Sequence, residues 1–484
     1  MELIEISRLL NRKLIGENKK VVNLAYNSAD VIDGSVFFAI KGSTENGHRY
    51  IEEAINKGAI AVIGEEDLPS LTVPYFKVYN TKKALALTAD YFYGAPSKKL
   101  HLLGVTGTNG KTTVTSLIHD VFNQLGVKSG LIGTNGWWMG ASKAATHTTP
   151  MSSDLNQLLR DGMRHQLTHV VMEVSSHGIK ENRVDQIDFN RFIFTNLTED
   201  HLDYHPTMAD YAYTKMIPFI QFSDYTEDKI AIINIDDPYG VNFMNATNGK
   251  MLTYGISQAA DINARDIIYG MDDTKFALYL GGQLITKLTV PIFGKYNLYN
   301  ILAVLTYFHS LNYQLTEIAA ILENISPIEG RFETIKTQSG ITAIIDYAHN
   351  ADAVYQVLTA LNTVAKGDII TVLGAGGGRD KGKRKRMGRY AIKLSKQVIF
   401  TSDNPRDENP LDIVYDLIAD VTHADYQIVL DREKAITKAL ERAKPNDYVV
   451  ILGKGHEKTQ NINGNVIPFS DKIVVEEVIR KRGI

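Results

Sequence analysis

The residues in this chain whose types and spacing could do chemistry begin at Gly104-Val-Thr-Gly-Thr-Asn-Gly-Lys-Thr-Thr. This stretch follows a short apolar run and precedes a helical pattern beginning near Val114. Backbone N–H groups of a glycine-rich loop at a helix start can cradle phosphates, Lys111 can reach the terminal phosphates, and the Thr112 hydroxyl can ligate magnesium. The glycines are set more tightly than in the general P-loop, with Gly104 one residue early and Gly107 close to Gly110. The strand, loop and helix context predicts an ATP site. Glu173 and His201 each follow an apolar run, and a carboxylate and an imidazole there suit a magnesium ion beside Thr112. Asp403-Asn-Pro-Arg closes another run, Val398-Ile-Phe-Thr, and taken alone has the composition of an ordinary turn.

These positions need elements to hold them. Short apolar runs alternate with helical patterns almost throughout, among them Val36-Phe-Phe-Ala-Ile, Ala59-Ile-Ala-Val-Ile, Leu102-Leu-Gly-Val, His169-Val-Val-Met, Arg191-Phe-Ile-Phe, Ile230-Ala-Ile-Ile and Tyr448-Val-Val-Ile-Leu-Gly. Runs of this length ended by turn residues read as buried parallel strands, so the expected fold class is α/β. Sheets of that kind bind ligands at the carboxyl ends of their strands, where the loops named above fall. Proline-containing breaks at Gly94-Ala-Pro-Ser-Lys-Lys and Ile325-Ser-Pro-Ile-Glu-Gly propose domains 1–98, 99–328 and 329–484. Three domains also suit 484 residues at roughly 150 per domain. Residues 250–290 alternate polar and apolar residues and are expected to form an antiparallel edge or insert.

Composition removes several function classes. Lys and Arg number 52 against 55 Asp and Glu, so no global positive excess drives nucleic-acid binding. The absence of cysteine excludes disulfides, thiolate nucleophiles, cysteine zinc sites and iron-sulfur clusters. No run reaches the roughly 20 apolar residues of a membrane span. Met1-Glu-Leu-Ile-Glu places acids where a secretory signal carries basic residues, and the expectation is a cytoplasmic monomer.

Gly107, Thr108, Asn109, Gly110, Lys111, Thr112 and Thr113 together resemble the ATP loop of the Mur ligases, the amide-forming enzymes of bacterial cell-wall precursor synthesis. The resemblance extends, in family order, through Thr148-Thr-Pro, Met172-Glu-Val-Ser-Ser-His-Gly, Thr195-Asn-Leu-Thr-Glu-Asp-His-Leu-Asp-Tyr-His, Asn234-Ile-Asp-Asp, Gly294-Lys-Tyr-Asn-Leu-Tyr-Asn, Gly330-Arg-Phe-Glu, Asp346-Tyr-Ala-His-Asn and Gly453-Lys-Gly-His-Glu. It implies three α/β domains: an amino-terminal carrier-binding domain, a central P-loop ATPase-like parallel sheet and a carboxy-terminal Rossmann-like domain. The sequence is most similar to members that add the third amino acid of the stem peptide to UDP-N-acetylmuramoyl-L-alanyl-D-glutamate.

What the resemblance implies can be carried over residue by residue. Lys111, Glu173, His201 and Lys215 match the catalytic set, with magnesium on Thr112, Glu173, His201 and Lys215. Lys215 matches a lysine modified by carbon dioxide to a carbamate (N6-carboxylysine). Asn297, Asn300, Arg331 and Asp346 match residues that hold adenine and ribose, and His349 one near the phosphates. Thr148, Thr149, Ser175 and Arg183 match contacts to the muramoyl dipeptide; Ser28, His48 and the Gly42-Ser-Thr-Glu-Asn-Gly-His stretch fit the pattern for its UDP end. Asp403, Asn404, Pro405 and Arg406 form the motif of members that use meso-diaminopimelate, whereas lysine-adding members lack the arginine. The chemistry agrees, because Arg406 can pair bidentately with the distal carboxylate, which lysine does not have. Asp403 and Glu457 can balance ammonium groups, and Asn404, Gly453 and Arg379 complete the pocket.

The sequence also departs from the family. Asn27-Ser28-Ala29 stands where Asp-Ser-Arg is usual, Ala351 replaces a proline, and Pro206 follows His205 where glycine is commoner. The missing arginine leaves open a ligase acting on a different carboxylate carrier, and L-lysine remains the alternative amino acid. A non-catalytic ATP-binding regulator is the third reading, opposed by the intact Lys111, Thr112, Glu173, His201 and Lys215. In the basic run from Arg379 to Arg386, Arg379 is expected to face substrate and the rest to form a solvated face. Trp137-Trp138 is expected in a turn after Gly133-Thr-Asn-Gly, as packing or as substrate contact.

Overall fold

The computed structural model describes residues 1–42, 45–222, 229–257, 259–421 and 425–483. By contacts the chain forms two units, one of Met1–Val105 with Leu125–Phe192 and one of Thr106–Gln124 with Ile193–Ile484. In the first unit, Asn23–Ala25, Ser35–Phe38, Ala59–Gly64 and Tyr75–Lys77 form a four-stranded sheet in chain order, every pair parallel. Val36 and Phe38 enter the core on one face while Phe37 and Ala39 enter the core on the other. That two-sided burial is why the strand reads as an unbroken apolar run rather than an alternating one. The first unit also holds His101–Thr106, His169–Glu173 and Ser129–Gly133 as neighbouring parallel strands.

Ser129–Gly133 turns back through Thr134-Asn135 into the antiparallel strand Gly136–Trp138. Trp137 and Trp138 therefore lie in a strand and not in the turn expected for them. The turn is closed by Gly133 and Gly136, and pairing of Ile132 with Trp137 extends the ladder through both tryptophans. Trp137 is buried and Trp138 is 38% exposed, as alternation along a strand requires.

In the second unit the strands Arg191–Phe194, Ile230–Asn234 and Lys250–Gly255 lead to Ile262–Tyr269, Thr274–Leu280 and Gln283–Val290. The last three pair antiparallel, as the alternation over residues 250–290 predicts. The helix after the glycine-rich loop is Lys111–Gln124. It starts three residues earlier than the apolar periodicity indicates, because its first turn is given to Lys111, Thr112 and Thr113 rather than to core residues.

The carboxy-terminal part of this unit is a six-stranded sheet in the order Glu333–Lys336, Thr342–Asp346, Tyr448–Leu452, Ile369–Leu373, Gln397–Phe400, Tyr426–Ile428. All pairs are parallel except the first. Two apolar cores cover its faces, one built on Val354, Leu358, Leu373 and Phe400 and the other on Ile345, Val372, Ile436 and Ile451. The chain leaves the carboxyl ends of four adjacent strands at Asp346, Leu373, Phe400 and Leu452, so four loops converge at one edge.

One ion pair ties that edge together. Arg432 and Asp471 have fully buried side chains; Nε donates to Oδ1 at 2.7 Å and Nη2 to Oδ2 at 2.8 Å, and Nη2 also donates to the Leu452 carbonyl at 3.1 Å. Removing one partner leaves a buried charge without its counter-ion. Asp471→Ala is expected to lower unfolding free energy by about 3–5 kcal/mol in a denaturant titration. A loss below about 1 kcal/mol, the range of an exposed pair, would contradict this reading.

Candidate active site

The glycine-rich loop is held by its neighbours at the two positions where a side chain cannot fit. Gly107 has φ +151°, and a Cβ there would lie 1.9 Å from the Thr195 hydroxyl; Gly110 has φ +88°, with a Cβ 2.5 Å from Asn300 Oδ1. Thr195 Oγ1 and Asn196 Nδ2 both donate to the Asn109 carbonyl, and Asn196 Oδ1 accepts from the Asn109 N–H. The loop is thus pinned by the strand end after Phe194 while the helix Lys111–Gln124 opens behind it. That arrangement presents backbone donors and the positive end of a helix to an anion.

Two lysines meet at this loop. Lys111 Nζ donates to the carbonyls of Gly107 at 2.9 Å and Thr108 at 2.8 Å, and Lys215 Nζ donates to the same Gly107 carbonyl at 2.9 Å. Lys215, on the helix Met208–Gln221, is buried. Burial first, then the neighbouring Lys111 charge, push its ammonium well below the ordinary lysine value, with Asp200 opposing. Arg331 Nη2 donates to the Thr112 hydroxyl at 3.0 Å, its guanidinium lying 4.7 Å from the Tyr347 ring centre. His201 adopts φ +57°, rare for a residue with a side chain, and follows Asp200, whose Oδ1 accepts the His201 N–H.

Beside the loop lies a cavity of about 330 Å³, lined among others by Asn109, Asn297, Asn300, Arg331, Asp346 and His349. The structure brings together the residues predicted to hold adenosine and those predicted to hold phosphate. Asn297 Oδ1 accepts from Asn300 Nδ2, which fixes the orientation of both amides. Asp346 Oδ2 accepts the Phe332 N–H at 2.7 Å, and burial raises its carboxyl above the usual range. Burial, then the Lys383 charge, push His349 down to about 4.

Within the first unit, a second cluster gathers predicted acceptor residues. The Thr149 hydroxyl bonds the Glu173 carbonyl at 3.0 Å and pairs with the Ser175 hydroxyl at 3.1 Å, while Arg183 Nη1 donates to the Thr149 carbonyl at 2.8 Å. Buried Glu173 accepts from the backbone and hydroxyl of Thr134, whose Oγ1 also meets Thr148. His48 is placed differently. Its Nδ1 meets Asn46 Oδ1 at 2.8 Å and its Nε2 accepts from the Glu65 and Glu66 N–H groups, so both ring nitrogens are engaged within its own sheet. Ser28 opens a short 3₁₀ turn and its carbonyl accepts from Lys57. Ser43 and Thr44, in the predicted stretch before His48, lie outside the described residues.

The third cluster sits on the four converging loops. Asn404 Nδ2 donates to Glu457 Oε2 at 2.7 Å, and a Cβ on Gly453, which has φ +117°, would lie 2.5 Å from Asp403 Oδ2. Arg406 Nη1 donates to the Gly377 carbonyl. Burial, then the Arg379 charge, lower Arg406 from its ordinary value, while Asp403 and Glu457 act in the opposite sense. The charges of two guanidiniums and two carboxylates thus act on one another at these loops, a pattern suited to an amino acid with charges at both ends.

Several residues of this machinery were not singled out from the sequence. Lys454, fully buried, donates to Glu457 Oε2 at 2.7 Å and to Asn404 Oδ1. Lys383 Nζ pairs with Asp200 Oδ1 at 3.1 Å, Asn350 Nδ2 reaches both Asp200 and Asn109, and Asn109 Nδ2 donates to Asp352. The expectation of a solvated face along Arg379–Arg386 is therefore corrected. Lys383 and Arg384 are buried, Arg384 bonding Glu408, Asp416 and the Gly376 carbonyl, and Arg386 pairs with Glu199. Their acidic partners are distant in sequence, so a run of like charge gave no sign of them.

Three family profiles match the chain: Mur ligase family, catalytic domain, over residues 20–93; Mur ligase middle domain over residues 105–308; and Mur ligase, glutamate ligase domain, over residues 330–455. The chain is 40% identical over 479 residues to the UDP-N-acetylmuramoyl-L-alanyl-D-glutamate--2,6-diaminopimelate ligase of Halalkalibacterium halodurans, covering 99% of this chain and 98% of that one. It is 39% identical over 488 residues to the protein of the same name from Parabacteroides distasonis, with 99% of each covered. A solved structure of a ligase of that name superposes with a TM-score of 0.70 at 29% identity over 99% of both chains. MurF ligase from Thermotoga maritima in complex with ADP, at 20% identity and a TM-score of 0.62 over 95% of this chain and 97% of that one, shares the fold. A glycine-rich loop beside a polar cavity on a three-domain α/β fold, with these relatives, places the chain in an ATP-dependent ligase class, and this chain belongs to the Mur ligase family. Among the described residues no helix is long and apolar enough to cross a membrane.

Two measurements check this geometry. Gly110→Ala places a methyl group against Asn300 at a left-handed position and is expected to weaken nucleotide binding at least about tenfold in a fluorescent-ADP titration; unchanged affinity would contradict the pinned loop. His349 and His456, each pushed down to about 4 chiefly by burial, titrate near 6.5 in the unfolded chain. Between those values the unfolded state binds more protons, so stability present above pH 6.5 is lost as pH falls toward 4. Thermal scans across that window should show a falling midpoint, and His349→Gln should flatten the slope.

Proposed function

We propose that this protein joins meso-diaminopimelate to the D-glutamyl side-chain carboxylate of UDP-N-acetylmuramoyl-L-alanyl-D-glutamate at the expense of ATP, in the cytoplasm, as a step of peptidoglycan precursor synthesis. The domains assigned to carrier, nucleotide and amino acid are 1–98, 99–328 and 329–484. The observation that carries the amino-acid assignment is Arg406 beside Arg379 in the loop cluster. The Arg379 charge acts against that of Arg406, and a carboxylate bound beside them relieves both, which the far end of diaminopimelate supplies and lysine does not.

The acceptor carboxylate oxygen attacks the γ-phosphorus of ATP, the bond to the β,γ-bridging oxygen breaks, ADP leaves and an acyl phosphate forms. The amine, having lost its proton, then adds to the acyl carbon, and phosphate leaves the tetrahedral intermediate to give the amide. Lys111, the Gly107–Gly110 backbone and Arg331 neutralise charge on the transferring group, which is most of what phosphoryl transfer asks of a protein. Asn297, Asn300 and Asp346 orient the nucleoside, while Thr148, Thr149, Ser175 and Arg183 orient the dipeptide.

The donor set suits magnesium. Among the described residues no group of three His, Asp or Glu forms a metal cage, and magnesium characteristically takes few protein ligands and completes its shell with phosphate and water. In the second unit Thr112, His201 and carboxylated Lys215 would hold it, and it would supply charge neutralisation on the phosphates. For Lys215 the reading is a carbamate. Its buried amine, with protonation disfavoured, is a nucleophile for carbon dioxide: the N–C bond forms as one C=O π bond opens onto oxygen, one proton leaves nitrogen, and a neutral amine becomes an anion.

Phosphate release with magnesium-ATP and the UDP-muramoyl dipeptide should depend on meso-diaminopimelate, and preference for L-lysine would overturn the assignment. Arg406→Ala should lower kcat/KM for diaminopimelate about 10- to 100-fold, the loss of one charge-assisted hydrogen-bonded pair. Lys215→Ala should be nearly inactive and partly rescued by short-chain carboxylic acids. Full activity without rescue would remove the carbamate from the account.

A further inference from the structure

The loop Asp403–Arg406 lies in an unusual conformation that it does not hold by itself. Arg406 has φ +51°, a left-handed position that a side chain disfavours. Its N–H donates to the Asn461 carbonyl at 3.1 Å and its carbonyl accepts from the Asn463 N–H at 2.7 Å, so that Arg406 and Ile462 form a parallel bridge. The same segment also reaches Asn404 and Asp403 of the motif. The Asn461 N–H donates to Asn404 Oδ1 at 2.9 Å, and Gln460 Nε2 donates to the Asp403 carbonyl at 2.6 Å. Gln460 is only 6% exposed, and it belongs to the hairpin Thr459–Ile462 with Asn465–Pro468, which pairs with no other strand.

We propose that this hairpin is a clamp that fixes amino-acid selectivity by holding the Asp403–Arg406 loop in place, with Gln460 as its positioning residue. The proposal rests on the assignment of diaminopimelate to this pocket. Gln460 acts through the loop, with no role in binding substrate itself. Released from the clamp, Arg406 relaxes toward negative φ and carries its guanidinium off the line set by the Gly377 carbonyl. A substrate whose distal carboxylate needs that guanidinium then suffers, and a substrate without one does not. Nucleotide and carrier bind to other elements and are unaffected.

Gln460→Met keeps length and apolar volume while deleting the donor, and Gln460→Glu keeps shape while presenting an acceptor to the Asp403 carbonyl. In the intact enzyme, each is expected to raise KM for meso-diaminopimelate at least about tenfold while KM for ATP and for the dipeptide carrier stays within about twofold. The ratio of diaminopimelate to lysine turnover should fall in step. In an Arg406→Ala background, adding Gln460→Met should cost nothing further, because the two act through one contact. Unchanged KM for diaminopimelate, equal rises in all three KM values, or additive losses in the double variant would each overturn the clamp. A wild-type enzyme that ignores diaminopimelate would instead overturn the substrate assignment on which the clamp rests, and the wild-type assay run alongside separates the two failures.

Discussion

Two lysine amine groups share one carbonyl oxygen, that of Gly107, and much of the second unit is arranged around that fact. Lys111 reaches it from the head of its own helix, an end that favours an anion. Lys215 reaches it from a separate helix, buried, with burial and the Lys111 charge both acting against its proton. Positive charge gathered around one oxygen favours an anion beside it. Thr195 and Asn196 hold the loop that carries the shared carbonyl, and the cavity lined by Asn297, Asn300 and Asp346 opens beside that loop.

The carboxy-terminal sheet answers this phosphate site with buried charge of its own. Burial alone would raise Asp200, but Lys383, His201 and His349 outweigh it and hold the carboxyl far below the usual range. Through Asn350 and Asn109 the same carboxylate is linked to the loop before Lys111. Such chains of satisfied polar groups fix geometry more than they add stability, since desolvating each ion offsets most of its attraction. The converging loops follow the same logic at the amino-acid pocket, where Arg432 with Asp471 and Lys454 with Glu457 set the charge on which Arg406 and Asp403 act.

What the sequence made legible was whatever is local. Strands buried on both faces, such as Val36–Ile40 and Tyr448–Leu452, read directly, as did the antiparallel edge and the phosphate loop. The family motifs marked most of the polar residues that now line the nucleotide cavity. What stayed hidden depends on chain distant in sequence. Lys383 looked like one more solvated cation until Asp200, 183 residues away, was brought to it. The two backbone N–H groups of Glu65 and Glu66 that bond His48 could not be read from spacing either. Trp137 and Trp138 were misplaced because the two glycines that make the turn, Gly133 and Gly136, close it before the tryptophans begin.

The most direct test of the shared carbonyl is carbon-13 NMR of the protein equilibrated with ¹³C-bicarbonate. The account predicts a carbamate resonance in the wild-type protein that disappears in Lys215→Ala, and a reversible loss of that signal on acidification as the carbamate releases carbon dioxide. A wild-type spectrum without the resonance, from a protein that nonetheless turns over ATP, would contradict it and leave Lys215 an unmodified amine beside the Gly107 carbonyl.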